Sequence, residues 1–84
     1  MPLVDAIWDL PDDPHGNVQH IAEHGLTQLD VEYVLNNPER HAVSRSSGRP
    51  VTYGYTPSHE YIVVIYDEID QSAVYPVTAY PVEE

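Results

Sequence analysis

Three residue types are missing from this chain of 84 residues, namely cysteine, lysine and phenylalanine. The absence of cysteine excludes disulfides, thiolate metal ligands and cysteine nucleophiles. Core packing must therefore hold the fold together, although a domain of this length buries only about 60 to 65% of the surface of its unfolded chain. We expect a single domain over residues 1–84, with residues 1–3 and 81–84 frayed.

Positive charge is also scarce. Only Arg40, Arg45 and Arg49 carry it permanently, against 14 acidic residues, and the formal net charge is −11. A chain with this charge repels DNA and anionic membranes at long range. Any anion-binding function has to use the segment that holds the three arginines. The alternative is that these arginines simply lie on a solvated loop.

Long apolar runs are missing as well. No stretch approaches the roughly 18 apolar residues of a membrane span, and the first residues do not form a basic, apolar leader. The sequence therefore predicts neither a membrane span nor a signal peptide, and we expect a cytoplasmic protein.

Strand signals are strong in the second half of the chain. Residues 61–66 are a run of β-branched and aromatic residues, which predicts a central strand buried on both faces. Residues 51–56 and 73–80 are also strand-like, so we expect a three-stranded antiparallel meander, with weaker strands within residues 4–9 and 40–44. Gly54 leaves room for a bulge or a close neighbour, and Pro76 predicts an edge position or a bulge.

Two short helices are predicted between the first strand and Pro38. Asn17 is expected to cap the first helix, and Gly25 to end it in a left-handed conformation. Thr27 and Asp30 have the spacing of a capping box at the start of the second helix, which must stop before Pro38. The expected apolar faces are Val18, Ile21 and Ala22 on the first helix, and Val31, Val34 and Leu35 on the second.

Together these elements predict the α+β class, with two short N-terminal helices packed on one face of an antiparallel sheet of about four strands. Alternate residues of a strand point to opposite faces of its sheet. Either Val63 and Ile65 or Ile62 and Val64 should therefore face the helices.

Histidines and aromatic residues are the candidates for chemistry and binding. His20 and His24 lie four residues apart on the first helix, a spacing that can hold a metal, but no third ligand follows at a recognisable spacing. We expect no metal and no other cofactor, with metal binding by these two histidines as the weaker alternative. The 7 tyrosines suit surfaces that are apolar but keep a hydroxyl in water. Trp8 is expected to anchor the core, with stacking on a ligand as the alternative.

The order of motifs resembles the BrnT family. The resemblance covers about residues 7–80 and rests on Trp8-Asp9, a helix ending at His24-Gly25, a second short helix closed by Pro38, an apolar strand and the closing Val77-Thr78-Ala79-Tyr80. BrnT proteins are small toxins of type II bacterial toxin–antitoxin pairs, with the RelE-like ribonuclease fold. The resemblance implies that fold, here without the C-terminal helix of the family because the chain ends at Glu84.

The resemblance also implies an activity, that of a metal-independent endoribonuclease acting on mRNA and neutralised by a separate antitoxin. The expected chemistry is attack of a ribose 2′-hydroxyl on the neighbouring phosphate. The expected partners are RNA and a cognate antitoxin or other basic protein, but neither DNA nor a membrane. The alternative is a catalytically degenerate relative that serves as an acidic protein-binding module. Expected site residues are His24, Arg45, Arg49 and Tyr80 for catalysis, and Trp8, Tyr53 and Tyr55 for RNA binding.

Overall fold

A computed structural model describes residues 4–83, which form one mixed sheet and two helices. The strands are β1 (Asp5–Ala6), β2 (Arg40–Val43), β3 (Pro50–Tyr55), β4 (Tyr61–Glu68) and β5 (Ala73–Pro81), and the helices are α1 (Asn17–Ala22) and α2 (Gln28–Asn36). The sheet has the strand order β1-β5-β4-β3-β2. β1 is parallel to β5, and every other neighbouring pair is antiparallel.

The predicted architecture, two helices on an antiparallel sheet of about four strands, is wrong. The sheet has five strands and is mixed, and the fold is mostly sheet, since the helices are only six and nine residues long. The short β1 causes the difference. Asp5 and Ala6 pair in parallel with Ala73 and Val74 at the far end of the sequence, and the amide of Asp5 donates to the carbonyl of Ser72 at 2.7 Å.

The predicted central strand is confirmed. β4 is the middle strand of the sheet, and its neighbours β3 and β5 are both antiparallel to it. Of the two pairs that could have faced the helices, Ile62 and Val64 do so, and both are fully buried. β5 continues to Pro81, and the amide of Val82 donates to the carbonyl of Tyr61 at 3.0 Å. The fraying predicted for residues 1–3 and 84 lies outside the described residues.

The signals predicted for the second helix are confirmed. The amide of Asp30 donates to Oγ1 of Thr27 at 3.2 Å, and the amide of Thr27 donates to Oδ2 of Asp30 at 3.0 Å, which completes a capping box. Gly25 has a φ of +79°, and α2 stops at Asn36, two residues before Pro38. Tertiary packing then fixes the helices, because short isolated helices are marginal in water.

The predicted cap of the first helix is wrong. Gly16 is the N-cap residue, and its position has no side-chain cap. Asn17 lies inside α1, where its side chain accepts from the amide of Asp9 at 2.9 Å and donates to the carbonyls of Ile7 at 3.0 Å and Pro76 at 2.9 Å. Because these backbone groups of the β1 and β5 segments need partners, the amide is used between elements rather than within its own helix.

The helices cover one face of the sheet only. Val18 and Ala22 were expected in the core, but Val18 is half-buried and Ala22 is exposed. Gly54 has the close neighbour that the sequence predicted, since a Cβ atom there would lie 3.1 Å from Cγ1 of Val34. The core consists of Ile21, Leu26, Val31, Val34, Leu35, Ile62, Val64, Val74 and Ala79. Neither α1 nor α2, the helices of the described residues, is long and apolar enough to cross a membrane.

Candidate functional site

The face of the sheet opposite the helices carries a row of side chains from four strands. The register pairs Arg40 of β2 with Tyr53 of β3, Tyr53 with Val63 of β4, and Val63 with Tyr80 of β5. Side chains directly opposite one another on neighbouring strands share a face. These residues, with Arg45 from the turn after β2, form what we call the tyrosine-arginine face. They border a cavity of about 530 Å³, which is also lined by Ala42, Val43, Ser44, Val51 and Ile65.

A β-bulge decides that Tyr80 lies on this face. The register shifts between Ile65 and Tyr66, whose partners are Thr78 and Pro76, so Val77 is the extra residue. The bulge that Pro76 predicted is thus confirmed. Residues beyond a bulge change face relative to an unbroken ladder.

The effect of the bulge on β5 is direct. In an unshifted ladder Tyr80 would lie opposite Ile62, on the face packed against the helices. With the shift, Tyr80 lies opposite Val63, and the fully buried Ala79 lies opposite Val64. A large hydroxylated side chain is therefore on the open face, and a small apolar one is in the core.

Arg40 packs on an aromatic ring. Its Cζ atom lies 4.2 Å from the centroid of Tyr53, the geometry of a cation–π contact. Arg45 is exposed in the turn that joins β2 to β3 and also borders the cavity. In a chain with a net charge of −11, two of the three cations therefore border one cavity.

A column of tyrosines continues from the cavity. The ring of Tyr61 lies 6.1 Å from that of Tyr53, centroid to centroid, with an interplanar angle of 19°. The ring of Tyr61 also lies 4.9 Å from that of Tyr55, with an interplanar angle of 52°. Aromatic faces of this kind suit stacking with planar ligands such as nucleobases.

His24 approaches the cavity through Tyr80. Its ring centroid lies 5.8 Å from that of Tyr80, and also 5.8 Å from that of His20. The predicted placement of both histidines on the first helix is wrong, because α1 ends at Ala22 and His24 lies in the turn after it. Imidazole and phenol are groups that exchange protons in catalysis. No group of three or more histidine, aspartate or glutamate residues within residues 4–83 is arranged to hold a metal ion.

Two predicted site residues lie apart from the cavity. Nε of Arg49 donates to Oδ1 of Asp67 at 2.9 Å, so its guanidinium already has a carboxylate partner. Trp8 packs against the core on the helix side, and its indole Nε1 donates to Oε2 of Glu32 at 2.8 Å. The structure thus brings together Arg45, Tyr53, Tyr55, Tyr80 and His24, while their chemical roles stay predictions.

Two groups of polar residues were missed by the sequence reasoning. Arg40 belongs to the tyrosine-arginine face and Tyr61 lies beside its Tyr53, which only the strand register could have shown. On the helix side, Nδ1 of His41 lies 3.1 Å from Oγ1 of Thr52, which donates to the hydroxyl of Tyr66 at 3.3 Å. This second cluster borders a smaller cavity of about 130 Å³. No sequence signal linked these three residues.

Comparisons with known proteins do not assign a function to this chain. No protein-family model, no curated protein and no solved structure matches this chain.

Proposed function

We propose that the tyrosine-arginine face binds RNA and that the chain is a BrnT-like toxin, a metal-independent endoribonuclease acting on mRNA. One observation carries the proposal. Arg40 and Arg45, two of the three cations of an acidic chain, border the same open cavity as Tyr53 and Tyr80. Cations attract the phosphates of RNA, and exposed tyrosine rings stack with its bases.

The cleavage step needs no metal. The ribose 2′-oxygen bonds to the neighbouring phosphorus while the bond from phosphorus to the 5′-oxygen breaks. His24 takes the proton of the 2′-hydroxyl, and the hydroxyl of Tyr80 protonates the departing 5′-oxygen. Arg40 and Arg45 stabilise the negative charge that builds up on the phosphate oxygens. The products are a 2′,3′-cyclic phosphate and a 5′-hydroxyl.

Because the chain has few cations, ion pairs with phosphates can supply only part of the affinity for RNA. Three arginines neutralise at most three phosphates, so the logarithm of the binding constant should fall against the logarithm of the salt concentration with a slope no steeper than about −2. Stacking on Tyr53, Tyr55 and Tyr61 has to supply the rest, at about 1 to 3 kcal/mol per base. Since stacking requires unpaired bases, the proposed substrate is single-stranded.

Binding is tested with RNA that cannot be cut. A fluorescent 2′-O-methyl oligonucleotide lacks the proton and the free nucleophile that cleavage requires, so its anisotropy reports binding alone. We expect binding with a shallow salt slope, weakened about tenfold or more by the double change Arg40→Ala and Arg45→Ala. Tyr33→Phe on α2 is the control and should bind like the wild type. Equal binding by the double variant would contradict the proposal.

A second candidate function is the acidic protein-binding module. It is favoured by exposed apolar side chains on α2, where Leu29 is 74% exposed and Tyr33 is 45% exposed. Leu29 borders a groove between the helices and a second one beside Tyr33. An exposed apolar patch within an acidic surface fits a basic amphipathic partner. Failure of the wild type to bind RNA at low salt would leave this module as the better candidate.

A further inference from the structure

We infer that the free edge of β2 binds an extended acidic peptide, which adds a sixth strand to the sheet. Within residues 4–83, β2 is the last strand in the order and pairs only with β3. All four of its residues are exposed, and Val43 is 66% exposed. Exposed strand edges offer unpaired backbone donors and acceptors to another chain.

The backbone groups available on this edge follow from the ladder. The amide of Ser44 donates to the carbonyl of Arg49 at 2.8 Å, so Ser44 points its backbone groups towards β3. Backbone groups alternate in direction along a strand, and Arg40 and Ala42 therefore share that direction. The amides and carbonyls of His41 and Val43 point away from the sheet, where an incoming strand would meet them.

Charge selects the occupant. Arg40 begins β2 and Arg45 follows it in the next turn, so both ends of the open edge carry a cation. Charges on an edge strand commonly prevent strand addition. Here the edge charges are the positive charges of Arg40 and Arg45, in a chain whose net charge is −11. They repel the same two arginines of a second copy of the chain but attract carboxylates.

Two other occupants fit less well. A second copy would place its own Arg40 and Arg45 against the same residues, and it would bring another net charge of −11. A nucleic acid satisfies the arginines but has no peptide groups to complete the ladder along β2. An acidic peptide satisfies both the charges and the backbone.

The side chains of the sheet specify a pattern for that peptide. Arg40 and Ala42 share the open face, and Ser44 continues their alternation towards Arg45. The peptide residues on that face should be acidic beside Arg40, apolar beside Ala42 and acidic again near Arg45. Alternation of this kind places the apolar residue over the cavity lined by Val51 and Ile65.

The probe is the acetylated and amidated peptide Glu-Thr-Val-Thr-Glu, whose pattern reads the same in both directions. One control replaces both glutamates by lysine. A second control carries N-methyl groups on both threonines, which removes the donors that would pair with His41 and Val43 but leaves every side chain in place. The titration follows the amide resonances of isotope-labelled protein, without RNA.

We expect the acidic peptide to shift the amides of His41 and Val43 and to slow their hydrogen exchange. The lysine peptide and the N-methylated peptide should bind at least about tenfold more weakly, and so should the acidic peptide to the Arg40→Ala and Arg45→Ala double variant. Arg49→Ala should cost less, because Asp67 already holds that guanidinium. A folded spectrum confirms that each variant is intact.

Three results would overturn the inference. They are no shift at millimolar peptide, shifts that avoid β2, or equal binding by either control peptide. The inference goes beyond the proposed function and can fail separately from it. RNA cleavage without peptide binding would contradict the edge site and leave the ribonuclease proposal standing. Peptide binding by a protein that neither binds nor cuts RNA would contradict the ribonuclease proposal and leave the edge site standing.

Discussion

The hydroxyl of Tyr75 donates a 2.5 Å hydrogen bond to Oδ2 of Asp9, a residue 66 positions earlier in the chain. The same carboxylate oxygen accepts from the backbone amide of Asn17 at 2.9 Å. The segment after β1 is thereby attached to both β5 and the start of α1. The contact lowers the pKa of Asp9, first through the Tyr75 hydroxyl and then through the Asn17 amide, and it raises the pKa of Tyr75.

This contact should make stability depend on pH. The pKa of Asp9 is lowered on folding from its ordinary 3.8, so its stabilising contribution is present above that value and is lost as pH falls through the folded pKa. Tyr75→Phe removes the hydroxyl and should destabilise the protein at neutral pH.

Urea unfolding at a series of pH values measures this contribution. We expect the difference in the free energy of unfolding between wild type and Tyr75→Phe to be constant near neutral pH and to shrink below about pH 4. A difference that stays constant down to the acid-unfolding limit would show that the hydroxyl does not stabilise the charged carboxylate.

Asn17 should be among the most sensitive polar residues of the fold. It is 2% exposed, and its side chain bonds to backbone groups of Asp9, Ile7 and Pro76. Asn17→Ala leaves these groups without partners and should lower the free energy of unfolding by about 2 to 4 kcal/mol. Chemical denaturation measures the loss.

Asn37→Ala is the matched control for this change. The side chain of Asn37 donates to the carbonyl of Tyr33 on the surface, so its removal should cost less than about 1 kcal/mol. Equal losses for the two variants would mean that the Asn17 network contributes no more than an exposed amide.

Deletion of Val77 tests the bulge. Because Val77 is the extra residue, its deletion makes the ladder continuous and leaves Ala79 opposite Val64 and Tyr80 opposite Val63. Ala79 stays in the core and Tyr80 stays on the open face. We expect the deletion variant to keep a dispersed amide spectrum and a urea midpoint close to that of Val77→Ala. In a ladder without a bulge the same deletion would turn the end of β5 to the opposite face, so loss of the dispersed spectrum would contradict the assigned register.

The parts of the fold that the sequence predicts are those set by near neighbours. Thr27 and Asp30 are three residues apart, and Gly25 needs only its own backbone freedom, so the sequence predicts both features. The apolar run of residues 61–66 predicts the central strand. The parallel pairing of β1 with β5 cannot be predicted, because a strand of two residues has no pattern that indicates a partner at the far end of the chain.

Asn17 and Tyr80 are two further residues whose roles depend on contacts that the sequence does not predict. Asn17 is an ordinary capping residue by type, and only the approach of Ile7 and Pro76 diverts its side chain. Tyr80 was a candidate by type, but the position of Val77 in the bulge decides which face it occupies. The pairing of Arg40 with Tyr53 likewise depends on register between strands, which residue types alone do not set.

The most direct measurement is cleavage of a mixed-sequence single-stranded RNA by the purified protein in EDTA, with the ends of the products identified. We predict 2′,3′-cyclic phosphate and 5′-hydroxyl ends, and losses of about 10²-fold or more for His24→Ala and Tyr80→Phe. His20→Ala and Tyr33→Phe, the same changes outside the cavity, should cut like the wild type. Cleavage that requires a metal ion, or that His24→Ala and Tyr80→Phe leave unchanged, would contradict a ribonuclease site on the tyrosine-arginine face.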